Sequence, residues 1–318
     1  MGLILGILLG FGATYALVPP FIQYFKHKKI GQTTREEGPL WHEVKTGTPT
    51  MGGTVFVAVS IVANLVVALL TQSLNAEVWT MVSALVLFGG IGFVDDFISI
   101  FKKQNEGLTA KQKFLLQILF SAIVMLIPYV MGLELSIPLG FITLKHPLWL
   151  VLFAIVWING FSNAVNLTDG LDGLATGLSV IAYACYGILA YLDNNNMVFN
   201  ICMTIVASLI AFLCFNHKPA KIFMGDVGSL ALGAGLATLS LLMNNPWSLL
   251  IIGIVFVIET VSVILQVASF KLTGKRIFKM SPIHHHFEMS GWTEEKVVSV
   301  FWGVGMAAAF VYLIFIII

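Results

Sequence analysis

Charge is what this chain has least of. Only 10% of its 318 residues are Asp, Glu, Lys or Arg, against about 25% in an ordinary soluble domain. Hydrophobic residues make up 58% and the mean hydropathy is +0.93. Such a chain cannot cover a water-facing surface of its own size, so it belongs in a bilayer. The net charge of +1 gives no field to attract nucleic acid. Cysteine is scarce: Cys185, Cys202 and Cys214 all sit in apolar runs and read as packing residues, which excludes a disulfide framework or a C-x-x-C pair. Also missing are a G-x-x-x-x-G-K-[ST] loop, a Rossmann glycine fingerprint, H-E-x-x-H and G-x-S-x-G. No internal repeat, low-complexity run or soluble domain is visible, so residues 1–318 read as one polytopic membrane domain.

What is present is long apolar runs. With roughly 20 apolar residues per crossing, ten helices are expected at about 1–25, 50–72, 78–95, 114–133, 147–166, 173–192, 197–215, 226–243, 247–270 and 297–318. The first has no basic region or cleavage site before Lys26 and reads as a retained helix. The link at 134–146 carries Pro138, Gly140 and the alternating Phe141-Ile142-Thr143-Leu144, a small hairpin on the outer side. Sixteen of the seventeen Lys and Arg fall in one set of links, among them Lys29, Arg35, Lys102 and Lys103, and only Lys145 lies on the other face. Positive charge concentrates in cytoplasmic loops, so that face is cytoplasmic and both termini are outside. Twelve of the sixteen Asp and Glu fall in or beside the same links, so any chemistry faces the cytoplasm.

Four clusters carry it. Asp95-Asp96 is expected to end the third helix after Phe88-Gly89-Gly90-Ile91-Gly92-Phe93-Val94. Carboxylates disfavour a helix C-terminus, and neighbours on a helix point about 100° apart, which suggests separate roles. Asn163, Asn166, Asp169 and Asp172 recur every third residue, as one polar stripe if helical, able to bind sugar hydroxyls or a metal's waters. Asn216 to Ser229 opens the eighth span and places Asp226 at a helix N-terminus, as cap or as metal ligand. Ser281-Pro282-Ile283-His284-His285-His286-Phe287-Glu288 brings three adjacent histidines that, if extended, cannot share one metal. They suit phosphate and ribose better. Together these point to magnesium-assisted chemistry on a phosphate-bearing substrate. Glu259 is an intramembrane ionisable group, functional or a buried structural partner. Gly2, Gly6 and Gly10 have the G-x-x-x-G spacing of a dimer seam.

These residues resemble the polyprenyl-phosphate N-acetylhexosamine-1-phosphate transferases over nearly the whole chain. The resemblance rests on ten spans, Asp95-Asp96, Asn166 to Asp172, Phe223 to Asp226, Pro282 to Glu288, and Lys45-Thr-Gly-Thr-Pro-Thr-Met-Gly-Gly53. Pro282 to Glu288 is similar to the branch whose donor is UDP-N-acetylmuramoyl-pentapeptide. The resemblance implies transfer of the sugar phosphate to undecaprenyl phosphate with Mg2+, giving lipid I and UMP, in a homodimer of the bacterial cytoplasmic membrane. One pyrophosphate linkage replaces another, so no ATP site is needed. It also implies that Asp226 holds the metal, that Phe223 stacks on uracil, that Asn216 and Asp172 hold the nucleoside, and that Lys45, Thr50, Lys111 and Asn166 line the site. Asp169, Gly225, Ser229 and Gln266 complete the substrate-binding set. Asp95, Asp96, Asp226, His284, His285 and His286 are the catalytic candidates. The acceptor attacks in line, with Asp95 or Asp96 as a candidate acceptor of its proton. Two alternatives stand beside this: UDP-N-acetylglucosamine as donor, or a transporter of lipid-linked sugars. Polar groups gathered at one face without a repeat favour an interfacial enzyme.

Overall fold

The computed structural model describes residues 2–28, 31, 45–101 and 107–318, with side-chain detail for all of these but Phe101. Lys29, Arg35, Lys102 and Lys103 of the charge argument lie outside the described residues. Among the described residues the chain is α-helical with one small hairpin. Its order is α1 (Gly2–His27), α2 (Gly53–Leu70), α3 (Ala76–Phe101), α4 (Ala110–Val130), β1 (Ile137–Pro138), β2 (Thr143–Leu144), α5 (Pro147–Thr168), α6 (Leu174–Leu192), α7 (Asn196–Asn216), α8 (Gly225–Leu242), α9 (Ser248–Ile252), α10 (Ile254–Thr273), α11 (Ile283–Glu288) and α12 (Glu294–Ile317). Among the described residues ten helices are long and apolar enough to cross a membrane, all but α9 and α11. The expected hairpin is present, antiparallel, with Ile137 opposite Leu144 and Pro138 opposite Thr143.

The crossings match the apolar runs, while their ends differ for local reasons. Asp95 and Asp96 do not end α3; the helix runs on to Phe101 because no breaker follows them. Helix α4 starts at Ala110, four residues before the apolar run, because Thr109 and Gln112 form a reciprocal capping box. The expected ninth span is divided at Gly253 into α9 and α10. The polar stripe stops early: α5 ends at Thr168, with Asp169 as its C-cap, so Asp172 lies in the following turn. The three histidines are helical in α11, not extended.

Helix α8 is the axis of the bundle, buried continuously from Val227 to Leu242. It packs on α3 and α5, with α2 and α6 completing its surround. Glycines let these backbones approach closely. A Cβ at Gly92 of α3 would lie 2.2 Å from the Asp226 carbonyl, and one at Gly53 of α2 would lie 2.2 Å from the Gly228 nitrogen. Gly6 and Gly10 face Thr204 and Ser208 of α7, so the expected dimer seam is used within the chain. Several polar groups inside the bundle are paired with one another or with backbone carbonyls, which offsets the cost of burying them in a bilayer. Tyr183 donates to the Leu232 carbonyl at 2.9 Å, Ser121 to Asn159 at 2.8 Å, and Trp157 to Ser240 at 3.0 Å. Leu8, Val156, Phe310 and Val311 are among the exposed apolar side chains left to face lipid.

The α3–α8 contact yields a direct test. Gly92→Ala should cost about 1–3 kcal/mol by overpacking and lower the thermal unfolding midpoint in detergent. Gly90→Ala, where nothing lies within 4 Å of the added Cβ, should leave the midpoint unchanged.

Candidate active site

The close crossing of α3 and α8 brings Asp95, Asp96 and Asp226 together, with one oxygen from each within 4.8 Å of the others. Although Asp95 and Asp96 leave the helix in different directions, both reach this point. Asp95 accepts from the Leu108 amide at 3.0 Å, and Asp96 from the Val227 amide at 3.3 Å. Asp226 is the second residue of α8 and does not cap it, the N-cap being Met224. Its carboxylate accepts from Asn166 of α5 at 2.8 Å and from Lys113 of α4. The Asn166 amide also donates to Ser229 at 2.9 Å, which donates to the Gly225 carbonyl at 3.1 Å. Gly225 has φ +70°, and a Cβ there would lie 2.4 Å from an Asp96 oxygen. Only glycine satisfies both demands.

The cationic partner of this cluster is Lys113, which also lies 3.9 Å from Asp95. Lys111, the sequence candidate, is exposed. Residues two apart on a helix point in nearly opposite directions, so only one can face α8.

A second charged group lies against the loop that runs from Lys218 to Phe223. Lys45 donates to Asp172 at 2.7 Å and to Glu294, while Lys218 pairs with Glu294 at 2.7 Å. Burial alone would lower the Lys218 pKa, but Glu294 and Glu295 raise it on balance. Between the two groups stands Asp169. Burial pushes its carboxyl up to about 7, aided by the charges of Asp226 and Asp172 and opposed by Lys45. Thr50 is buried in a strap whose backbone is tied to the segment before α8: Phe223 donates to the Pro49 carbonyl at 2.9 Å, and Gly52 donates back to Phe223 at 2.9 Å. Phe223 stays partly exposed.

Other candidates are committed inside the protein. Asn216 accepts from Thr176 at 2.6 Å and donates to the Ile222 carbonyl at 2.9 Å, fixing the loop that carries Phe223. Gln266 accepts from the Ile277 and Phe278 amides and donates to the Phe278 carbonyl, which folds the 275–282 loop back along α10. That fold-back seals His284. Its ring is fully buried, 3.1 Å from Glu259, and lies against Gly170, where a Cβ would sit 2.4 Å from its Nε2. His285 is partly exposed and lies 2.8 Å from Glu288; His286 accepts from the Lys279 amide at 3.1 Å. Lys113 and Glu294 are the residues that sequence reasoning missed. The capping box at Thr109 fixes the phase of α4 and was the available signal for Lys113.

The three carboxylates beside Lys113 form an all-oxygen donor set that fits a hard divalent cation. With Lys113, Lys45 and Lys218 nearby, the arrangement suits a phosphate-bearing ligand. Asp169 gives a pH test of this geometry. Its folded pKa exceeds its unfolded value, so its contribution to stability is present below pH ~4 and lost as pH rises through 7. Asp169→Asn should therefore raise the unfolding midpoint relative to the unsubstituted protein more at pH 8 than at pH 4.5, without added divalent cations. An equal difference at both pH values would contradict the raised pKa.

Known proteins give the family. Residues 78–244, which hold Asp95, Asp96, Asn166 and Asp226, match glycosyl transferase family 4. The phospho-N-acetylmuramoyl-pentapeptide-transferase of Lactiplantibacillus plantarum is 53% identical over 306 residues, 95% of each chain. That of Lactobacillus acidophilus is 53% identical over 301 residues, 94% of each. The enzyme of the same name from Lactobacillus delbrueckii subsp. bulgaricus is 54% identical over 298 residues, 93% of each. With this identity over almost its full length, the chain belongs to glycosyl transferase family 4, among the phospho-N-acetylmuramoyl-pentapeptide-transferases.

Proposed function

We propose that the protein transfers phospho-N-acetylmuramoyl-pentapeptide from its UDP conjugate to undecaprenyl phosphate, giving lipid I and UMP. The observation that carries this reading is the convergence of Asp95, Asp96 and Asp226 at the mouth of the bundle, in a chain at least 53% identical to enzymes named for that transfer. The Lys and Arg distribution supports a cytoplasmic site and outward termini, and the ten apolar helices with the bacterial relatives support residence in the bacterial cytoplasmic membrane. We propose a single domain over residues 1–318, acting as a homodimer.

Asp95, Asp96 and Asp226 would hold Mg2+, which when bound neutralises phosphate charge and polarises the diphosphate. Lys113 adds a fixed positive charge beside the same oxygens, and Asn166 holds Asp226 in orientation. Lys45 and Asp172 border the nucleoside, and the exposed part of Phe223 offers a face for uracil. Thr50, Gly225 and Ser229 shape the backbone around these groups, and Asn216 and Gln266 act by fixing loops. Lys111, exposed, is left for the approach of an anionic donor. His285 and His286 present partly exposed imidazoles, while His284 positions α11 through Glu259.

In the transfer, an oxygen of the acceptor phosphate forms a bond to the phosphorus that bears the sugar. The bond from that phosphorus to the bridging oxygen breaks, and UMP leaves with the electron pair. A phosphate monoester has its second pKa near 6, so the acceptor is mostly ionised at neutral pH and needs no strong base.

Purified protein given UDP-N-acetylmuramoyl-pentapeptide, undecaprenyl phosphate and Mg2+ should release UMP only when the lipid is present. Asp226→Asn should abolish this release, and full activity in that variant would refute the assignment. Stacking is worth about 1–3 kcal/mol per base, so Phe223→Ala should weaken UMP binding about 5- to 150-fold. Unchanged affinity would remove the stacking role.

A further inference from the structure

Four separate segments meet at the carboxylate of Glu294, the first residue of α12. One oxygen accepts from the Lys45 ammonium and from the Asp172 amide, the latter at 2.8 Å. The other accepts from Lys218 at 2.7 Å. Asp172 in turn accepts from Lys45 at 2.7 Å and, through its second oxygen, from the Ala220 amide at 3.0 Å. One side chain thus joins the strap that begins at Lys45, the turn after α5, the loop that leads to Phe223, and the last helix.

An acidic first turn is ordinary helix chemistry, since it complements the helix dipole. That does not require burial. Glu295, which serves the dipole equally well, is 63% exposed, whereas the Glu294 side chain is 5% exposed. A carboxylate taken out of water is costly unless charge and hydrogen bonds compensate it. Here Lys45 and Lys218 balance Asp172 and Glu294, and the Asp172 amide uses a remaining lone pair. Thr293, not Glu294, caps α12, so the sealed carboxylate has a purpose beyond the start of the helix.

The network also has a boundary. Lys113 and Asn166 hold the Asp226 cluster from α4 and α5. Among the described residues no hydrogen bond or ion pair joins Glu294 to Asp95, Asp96 or Asp226. We infer that Glu294 is a positioning residue for the nucleoside half of the donor, holding Lys45, Asp172 and the Lys218–Phe223 loop in place without touching the carboxylates that meet the diphosphate. This rests on the transferase reading above and adds to it a division of labour. Loss of the Glu294 charge should weaken donor binding and leave acceptor binding and the chemical step intact.

The test uses the full chain in detergent, with UMP as the binding probe and each substrate varied in turnover. Glu294→Gln keeps the size of the side chain but presents an amide where three donors converge. It should weaken UMP binding and raise the donor KM about tenfold, equivalent to about 1.4 kcal/mol. The acceptor KM and kcat should stay within about twofold. Glu294→Asp should recover part of the loss, and Glu295→Gln should match the unsubstituted protein. Unchanged or tighter UMP binding in a Glu294→Gln protein of normal melting temperature overturns the inference, as does a fall in kcat with an unaltered donor KM. If Glu294→Gln does not fold, Lys218→Met should still weaken UMP binding, and unchanged affinity there overturns it too. UMP binding without lipid-dependent turnover in the unsubstituted protein would remove the transferase reading while the UMP comparison still decides Glu294. Failure of the unsubstituted protein to bind UMP overturns the inference itself.

Discussion

Everything at the mouth of this bundle depends on how closely α3 approaches α8. Gly92 lies against the peptide of Asp226 with no room for a single methyl, and that contact sets the depth at which Asp96 and Asp226 face each other. Bulkier residues at the crossing would separate the axes and with them the carboxylates. Helix α8 can serve as the axis because it is enclosed by α2, α3, α5 and α6 and carries its one charged residue, Asp226, at its first turn. The apolar body is therefore a rigid mount for a polar rim, as a preorganised phosphoryl-transfer site requires.

The rim divides into two parts. Asp95, Asp96, Asp226, Lys113 and Asn166 form an anionic cluster that, among the described residues, has one ammonium paired with it, suited to a divalent cation and the charge of a diphosphate. Lys45, Asp172, Lys218 and Glu294 form a charge-balanced clamp beside Phe223. Asp169 stands between them and feels both, its carboxyl raised by Asp226 and Asp172 as well as by burial. In the proposed transfer, such a layout would separate recognition of the nucleoside from the step that moves the sugar-bearing phosphate. The third feature is the return of the 275–288 segment along α10, fixed by Gln266 at one end and by the buried Glu259–His284 contact at the other.

Much of this was legible in the sequence, because the bilayer imposes a length and a polarity on every crossing. Ten apolar runs gave ten spans, and carboxylates in an apolar context pointed to Asp95, Asp96 and Asp226 without knowledge of the fold. The hairpin at 137–144 followed from alternation and a glycine. What could not be read depended on rotation and on contacts distant in sequence. Lys111 and Lys113 are equivalent in composition, and only the phase of α4 turns one inward. Glu294 looks like any acidic residue in a first turn until Lys45, from the other end of the chain, is placed against it. His284 looked accessible because nothing local shows that α11 folds back into the bundle. The glycines of α1 gave a correct signal for close packing but named the wrong partner, since α7 occupies that face.

The central claim is that three carboxylates from two helices form one divalent-cation site. Mn2+ binding, counted by electron paramagnetic resonance on the purified protein with Mg2+ as competitor, tests it without reference to turnover. A single Mn2+ displaced by Mg2+, and lost in each of Asp95→Asn, Asp96→Asn and Asp226→Asn, is the predicted result. Mn2+ bound as tightly by all three variants as by the unsubstituted protein would contradict it.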